Sequence, residues 1–425
     1  MSSMLSSSIS FTKVRRDPFW DVCERKEDKM HKIHAYPAKF PAFLTTKAIS
    51  FAKKNHLEPH QIADVFCGCG TVAFEAKKAN IEFWGCDINP VATLIAEVKR
   101  NTYDINTINL YYNKIVNSFK KRKVISLKYK QANPRLQYWF HENTYNDLFK
   151  LKMSILSNTK RGDSYQKFFL CAFSNILKPV SKWLTKSIKP QVDPLKEVKD
   201  VMEAFRQQVS FMMKAVKENE NCFSPKSVIT NMNFLDSSLQ CPKVDMVITS
   251  PPYVTSYEYA DLHQLSSLWL DFANDYRELR RGSIGSIYHL DGWKISKEHE
   301  KCLLTGKNIL CQLRGRTNTK KVKSVARYLV DMEAVITKIY SMLNKHGMAV
   351  FVIGNTEYKG VKIDNAKYLY EMMKKAGFNK FYITKRQIQN KFLTPYRDFS
   401  GKFTSNKKSR TIYAEEFIVV GEKNG

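Results

Sequence analysis

The chain has 425 residues, 69 of them Lys or Arg against 40 Asp or Glu, for a net charge of +29. That length carries a large core, in two or three domains or in one with big insertions. Nine cysteines, an odd number with no C-x-x-C pair, argue against a disulfide framework and for reduced thiols in a cytoplasmic protein. No apolar run reaches transmembrane length and no secretory segment is present. The basic surplus favours a polyanionic partner, because Lys and Arg gain affinity by releasing counterions from phosphates.

The first 30 residues, Ser-rich at their start, are expected to be flexible. Tyr36-Pro37-Ala38-Lys39-Phe40-Pro41 is held extended by its two prolines, and it offers the aromatic Tyr36, the cation Lys39 and the aromatic Phe40 to whatever lies beyond. A helix is predicted over 43–54. Ile62 to Thr71 then reads as a strand running into a Gly68-Cys69-Gly70 turn, with a helix over 72–79. Glycines there let a backbone approach a ligand closely, and the helix N-terminus faces it. A lone G-x-G is weak evidence. The next strand, Glu82 to Pro90, strengthens it by ending in Asp87, about 20 residues on, where an acid can accept both hydroxyls of a ribose. Pro90 opens a helix to Arg100. Cys67 and Cys69 read as loop residues, since no second pair completes a zinc site. No metal is expected.

From 105 to 225 the character changes. Lys120, Lys121, Arg122 and Lys123 stand in a basic run, and helices are predicted over 143–156, 165–178 and 195–217. This is too long for an ordinary crossover, so it is read as an inserted, basic helical unit. A structural cap and a nucleic-acid contact are both open readings. Residues 228–234 resume the sheet, and Asp236 follows.

The stretch Val244-Asp245-Met246-Val247-Ile248-Thr249-Ser250-Pro251-Pro252-Tyr253 carries the most chemistry. A buried strand ends in two prolines, which force the chain out of the sheet and stiffen the loop. Ser250, Pro251, Pro252 and Tyr253 are thereby delivered to the carboxyl edge of a sheet as a fixed array of hydroxyl, carbonyls and aromatic face. Such an array suits a flat polar molecule such as a nucleobase. A helix is expected over 260–272, with Leu262, Leu265, Leu268 and Leu270 inward. Residues 276–327 lack periodicity and read as a long basic loop holding Arg314, Arg316, Lys320 and Lys321. Helices over 328–343 and 365–376, a strand over 348–353, and a strand pair over 378–387 and 414–422 flanking a basic loop (391–410) complete the chain.

Taken together, these motifs resemble the S-adenosylmethionine-dependent amino-methyltransferases of DNA in restriction–modification systems, and among them the N4-cytosine type with its S-P-P-Y loop. Asp64-Val65-Phe66-Cys67-Gly68-Cys69-Gly70-Thr71 resembles that family's D-x-F-x-G-x-G-T cofactor motif. The resemblance implies an α/β fold, a Rossmann-like class I methyltransferase sheet with a large, mainly helical insertion. It implies S-adenosyl-L-methionine as cofactor, bound by Tyr36, Lys39, Phe40, Asp64, Phe66, Gly68, Gly70, Thr71, Asp87, Ile88 and Asp236. It implies Ser250, Pro251, Pro252 and Tyr253 as the catalytic loop, double-stranded DNA as substrate, and a cognate restriction endonuclease as partner. The division is then a flexible stretch (1–30), a cofactor half (31–104), the insertion (105–225) and a catalytic half (226–425).

The insertion precedes the third strand, which is not where this family usually keeps target recognition. Residues 105–225 and 276–327 are both candidates for that role. A C5-cytosine enzyme needs a nucleophilic Cys, usually in Pro-Cys, and the chain has no such dipeptide. The remaining alternatives are an N6-adenine DNA enzyme, a tRNA guanine-N2 methyltransferase, and a catalytically silent nucleic-acid-binding protein.

Overall fold

The fold is organised by a buried strand whose two polar side chains, Asp245 and Thr249, are both hydrogen-bonded. Val244–Thr249 (β4) is buried throughout except for a partly exposed Asp245, and it lies between two other strands of the sheet. The computed structural model describes residues 10–22, 27–37, 39–123, 127–254, 259–286, 302–388, 396–397, 406, 410–411 and 415–425. In chain order the elements are α1 (Ala42–Lys54), β1 (Gln61–Asp64), α2 (Thr71–Lys78), β2 (Glu82–Asp87) and α3 (Pro90–Arg100). Then come α4 (Ile105–Lys121), α5 (Leu127–Lys130), α6 (Pro134–Trp139), α7 (Glu142–Asn158), α8 (Ser164–Ile176) and α9 (Val201–Lys217). The chain returns through β3 (Ser227–Asn231), β4, α10 (Tyr259–Leu262), α11 (Gln264–Trp269), α12 (Leu304–Leu313) and α13 (Thr319–Met342). It ends with β5 (Leu343–Ile353), β6 (Thr356–Tyr358), β7 (Val361–Ile363), α14 (Asn365–Ala376), β8 (Asn379–Gln387), β9 (Tyr396–Arg397), β10 (Arg410–Thr411) and β11 (Glu415–Glu422).

Seven strands form one sheet in the order β3-β2-β1-β4-β5-β11-β8. The first five pair in parallel, and β11 runs antiparallel to both β5 and β8. The expected methyltransferase-type sheet is therefore present. Strand order reverses between β1 and β4, which is where open α/β sheets leave a crevice at their carboxyl ends. The single acid in β4 is explained at the opposite edge. Asp245 Oδ2 accepts from the His60 and Gln61 backbone N–H groups, and its Oδ1 accepts from Asn344 Nδ2 at 2.7 Å.

Helices cover both faces. α1 and part of α2 close one face against β1, β4 and β5. α12, α13 and α14 close the other. The inserted helices α4 to α9 do pack on one another, and their apolar residues form one continuous cluster with Phe74, Val91, Ile95 and Val98 of α2 and α3 and with Leu265, Leu268 and Trp269 of α11. Aspartates fix several of these starts: Asp104, Asp163 and Asp200 accept the first free backbone N–H groups of α4, α8 and α9.

Several expectations need correction. The N-terminal stretch is not free: residues 10–22 are described, Trp20 is fully buried, and Arg16 bridges to Lys385 of β8. Residues 1–9 lie outside the described residues. α9 begins at Val201, not 195; Pro190 and Pro194 interrupt the approach, Leu195 is 91% exposed, and Asp200 makes the cap. β3 stops at Asn231. The single helix expected over 260–272 is two, broken at His263, with Leu262 and Leu270 only partly buried. The basic loop over 276–327 contains α12 and the first turns of α13, which starts at Thr319 with Asn318 as its cap. Val322, Val325, Ala326 and Leu329 supply helical spacing there, obscured in the sequence by the lysines between them. Residues 287–301, and most of the basic loop over 391–410, lie outside the described residues.

The two glycines of the first turn differ. Both have positive φ, +48° at Gly68 and +73° at Gly70. A Cβ on Gly70 would stand 2.6 Å from Ala96 of α3, whereas one on Gly68 would come no nearer than 3.8 Å to Tyr36 and 3.9 Å to the Phe66 carbonyl. Gly70 thus lets α2 and α3 approach, and Gly68 leaves open space. Gly70→Ala is expected to cost about 2–4 kcal/mol from strain and overpacking together, and Gly68→Ala about 1–2 kcal/mol from strain alone. Urea unfolding of both variants checks this; equal losses would contradict it.

Candidate active site

The site lies at the carboxyl ends of β1, β2 and β4. Most residues near it are buried, but Phe66, Gly68, Asp87, Ile88, Asn89, Ser250, Pro252 and Tyr253 keep partial exposure. Asp87 organises the first half. Its Oδ2 accepts the Gly68 N–H at 2.9 Å and its Oδ1 the Asn89 N–H at 2.8 Å. Burial pushes its carboxyl up, and the two N–H groups pull it back. Asn231 at the end of β3 donates to the Asp87 carbonyl.

Tyr36 joins this group. Its hydroxyl lies 3.9 Å from where a Cβ on Gly68 would stand, and its ring stacks on His263 at 4.9 Å. His263 is fully buried, which pushes its pKa down to about 4 and leaves a neutral imidazole at pH 7. The segment before Tyr36 is held from the insertion: His34 Nε2 pairs with Ser174 Oγ, and the Asn175 side chain accepts the Ala35 N–H. Lys39 is used internally, in an ion pair with Glu27 and a bond to the His31 carbonyl. Phe40 packs against the α1 cluster.

Asp64 does not face the crevice. It is 3% exposed, and its Oδ1 accepts both the Thr249 hydroxyl at 2.6 Å and the Phe66 N–H at 3.1 Å. Asp236 follows β3, and its exposed carboxylate accepts the Ser238 N–H and hydroxyl. Asn233 stands nearer, donating to the Gly282 carbonyl at 3.0 Å, while Gly282 abuts Ile88. Thr71 at the start of α2 has a buried hydroxyl without a partner among the described residues, as has the Asn89 amide nitrogen. These orphaned groups, the open face of Gly68 and the Asp87 carboxylate fit a ligand that brings hydroxyls and charge. Cys67 and Cys69 are buried, and Lys99 Nζ donates to Cys69 Sγ.

The second half is the 250–253 loop. Pro251 is buried and Ser250 half-buried. The Tyr253 ring lies against Gly354, where a Cβ would be 3.4 Å away. Its hydroxyl donates to Glu416 Oε1 of β11 at 3.2 Å. Glu416 also accepts from Arg386 of β8, which is 3% exposed. Burial and the Glu416 charge push the Tyr253 phenol well up, so it stays a donor. Glu416 escapes sequence reading because it is one of two acids before an apolar run; only the register of β11 on β5 brings it to the loop.

The basic candidates divide. Lys120, Lys121 and Lys123 are exposed at the end of α4, but Arg122 turns inward to Ser154, Met153 and Ser157 of α7. Arg314, Arg316 and Lys320 are exposed around the start of α13. Lys321 lies over Tyr358 and Arg316 bonds to the Gly360 carbonyl, which puts this cluster beside the β6–β7 hairpin that follows β5.

The N6/N4 methyltransferase family model, described as DNA methylase, matches residues 7–98. The type II methyltransferase M.MvaI of Kocuria varians is 23% identical over 393 residues, covering 85% of this chain and 84% of that one. The type II methyltransferase M.AvaI of Nostoc sp. is 23% identical over 404 residues, covering 83% and 80%. The chain is thus a distant homologue of type II methyltransferases. Its first quarter matches the N6/N4 DNA methylase family, and its cofactor is S-adenosyl-L-methionine.

Burial pushes the Asp64 carboxyl up to about 7, with Asp87 adding to the rise and Thr249 and the Phe66 N–H opposing it. A folded-state pKa above the unfolded value means the native state holds the proton more tightly. Its contribution is full below pH 4 and is lost as pH rises through 7. Asp64→Asn keeps the acceptor and has no such loss. The stability of the natural protein relative to Asp64→Asn should fall between pH 5 and pH 8, by about 3 kcal/mol at most, nearly all of it below pH 7. Unfolding curves at both pH values test this, and parallel profiles would refute it.

Proposed function

We propose that the chain methylates the exocyclic N4 amine of a cytosine flipped out of duplex DNA, at a specific sequence, in a restriction–modification system with a cognate endonuclease. The observation that carries this reading is the juxtaposition of two motifs at the β1–β4 switch point. The Gly68–Asp87 cradle and the Ser250–Tyr253 loop leave adjacent strands, and Asp64 ties their ends.

When bound, S-adenosyl-L-methionine supplies an electrophilic methyl on its sulfonium. Asp87 is suited to accept ribose hydroxyls, Gly68 to admit the cofactor backbone closely, and Thr71 and the N-terminus of α2 to meet its carboxylate. Tyr36 and Ile88 wall the cradle. The amine of a base is a poor nucleophile because its lone pair is conjugated with the ring. Ser250 Oγ and the Pro251 carbonyl are suited to accept its N–H bonds and turn the lone pair outward, and the two prolines hold them in place. As the nitrogen's bond to the methyl carbon would form, the carbon–sulfur bond would break with its electron pair left on sulfur, and the surplus proton on nitrogen would pass to solvent water. Tyr253, with its hydroxyl fixed on Glu416, offers a ring of set orientation for the flipped base.

Cytosine is favoured over adenine by the neutral Ser250 in a place where N6-adenine enzymes usually carry an acid. Lys120, Lys121, Lys123 and the Arg314–Lys321 cluster are the DNA-backbone candidates, in the insertion and beside the catalytic half respectively.

Nucleoside mass spectrometry of DNA from cells expressing the gene tests the reaction. N4-methylcytosine is expected; N6-methyladenine would replace the base assignment, and methylated tRNA with unmodified DNA would overturn the substrate. Asp87→Ala should weaken S-adenosylhomocysteine binding by about 2–4 kcal/mol in calorimetry. Ser250→Ala should lower turnover by on the order of 10–1000-fold while that affinity is kept.

A further inference from the structure

A cation–aromatic surface on the insertion lies next to the helices that follow the 250–253 loop. Tyr138 of α6 is 51% exposed, while the neighbouring Trp139 is 1% exposed and stacks on Trp183 at 5.0 Å. The Arg135 guanidinium lies 5.1 Å from the Tyr138 ring centre, 5.4 Å from that of Trp139 and 5.6 Å from that of Tyr276. The Lys182 ammonium lies 5.9 Å from the Tyr138 ring. Nearby Arg277 and Arg280 are neutralised by Asp275 and Asp261. Among the described residues no carboxylate is within 4 Å of Arg135 or Lys182. A cation resting on a ring keeps its N–H edge available to an outside acceptor.

This surface is fixed to the site. Arg135 Nε and Trp139 Nε1 both donate to Gln264 Oε1, at 2.6 and 3.0 Å. Gln264 is fully buried at the start of α11, and its amide donates to the Asp261 carbonyl of α10. His263, the residue before it, stacks on Tyr36. Asn133 donates to the Asn274 carbonyl, closing the same junction. Arg135, Tyr138, Lys182 and Tyr276 give no signal in the sequence, because they come from three separate segments and make no run.

We propose that Arg135, Tyr138, Lys182 and Tyr276 form a contact for duplex DNA flanking the target base. The inference rests on the reading of the chain as a DNA methyltransferase. Two uncompensated cations suit phosphates, and the exposed ring suits a sugar or an unstacked base at the edge of the opened duplex. The platform is pre-ordered, so binding costs little side-chain entropy. It gives the insertion a role at the target rather than one of cover alone.

The test uses the full chain with S-adenosylhomocysteine and a labelled duplex taken from a plasmid region that the natural protein methylates. Binding is followed by fluorescence anisotropy over a range of salt. Tyr138→Ala should weaken binding by about 10-fold or more. Lys182→Gln should lower the log–log salt slope by about one, and Lys182→Arg should restore it. Cofactor affinity and melting temperature should not move, since Tyr138 is exposed and Lys182 partly so; Arg135 is spared because it also holds Gln264. Natural affinity and slope in both Tyr138→Ala and Lys182→Gln would overturn this contact and leave the reaction standing. A natural protein that methylates and retains RNA but not duplex DNA would overturn the underlying reading and the contact with it.

Discussion

One carboxylate oxygen holds the two halves of the site together. Asp64 Oδ1 accepts the Thr249 hydroxyl from β4 and the Phe66 N–H from its own turn. Thr249 is the last residue of its strand and Ser250 the next, so the bond sets where the Pro-rich loop leaves the sheet. Phe66 opens the glycine turn, so the same atom sets where that loop leaves too. The bond is fully buried, where a hydrogen bond is strong and an unmade one is costly. A slip of either strand would separate the cofactor cradle from the loop that is to hold the base.

The rest of the molecule supports that edge from three sides. β11 enters antiparallel beside β5 and brings Glu416 under Tyr253, with Arg386 of the next strand behind it. The insertion packs on α2 and α3 through a shared core and holds His34 and Ala35, just before Tyr36, through Ser174 and Asn175. The segment after α11 crosses back to Ile88 at Gly282 and to Tyr328 at Gly285. Each contact places a rigid element against a loop that carries chemistry, which is how a site holds geometry without a bound ligand.

Much of this was legible in the residues. The strand–turn–helix units at 62–100, the strand ending in Ser-Pro-Pro-Tyr, and the Gly377 stop after α14 are local signals, and they placed the sheet and both loops. What escaped depended on distance. Asp64 belongs to a recognisable motif, yet its partner is Thr249, 185 residues away. Residues 228–234 read as one strand, but β3 ends at Asn231, and Asn233 and Asp236 close turns through their own side chains. The start of α13 was hidden because Lys320, Lys321 and Lys323 are interleaved with Val322, Val325 and Ala326, and packing decided what periodicity could not. Arg122 looked like its lysine neighbours, but its fork of donors found three acceptors on α7.

The central claim is that cofactor and base meet at the β1–β4 crevice. A crystal structure of the chain with S-adenosylhomocysteine tests it most directly. The account predicts the ribose on Asp87, the amino-acid end over Gly68 near Thr71, and the sulfur facing Ser250. Density for the ligand anywhere else, or a sulfur turned away from the 250–253 loop, would contradict it.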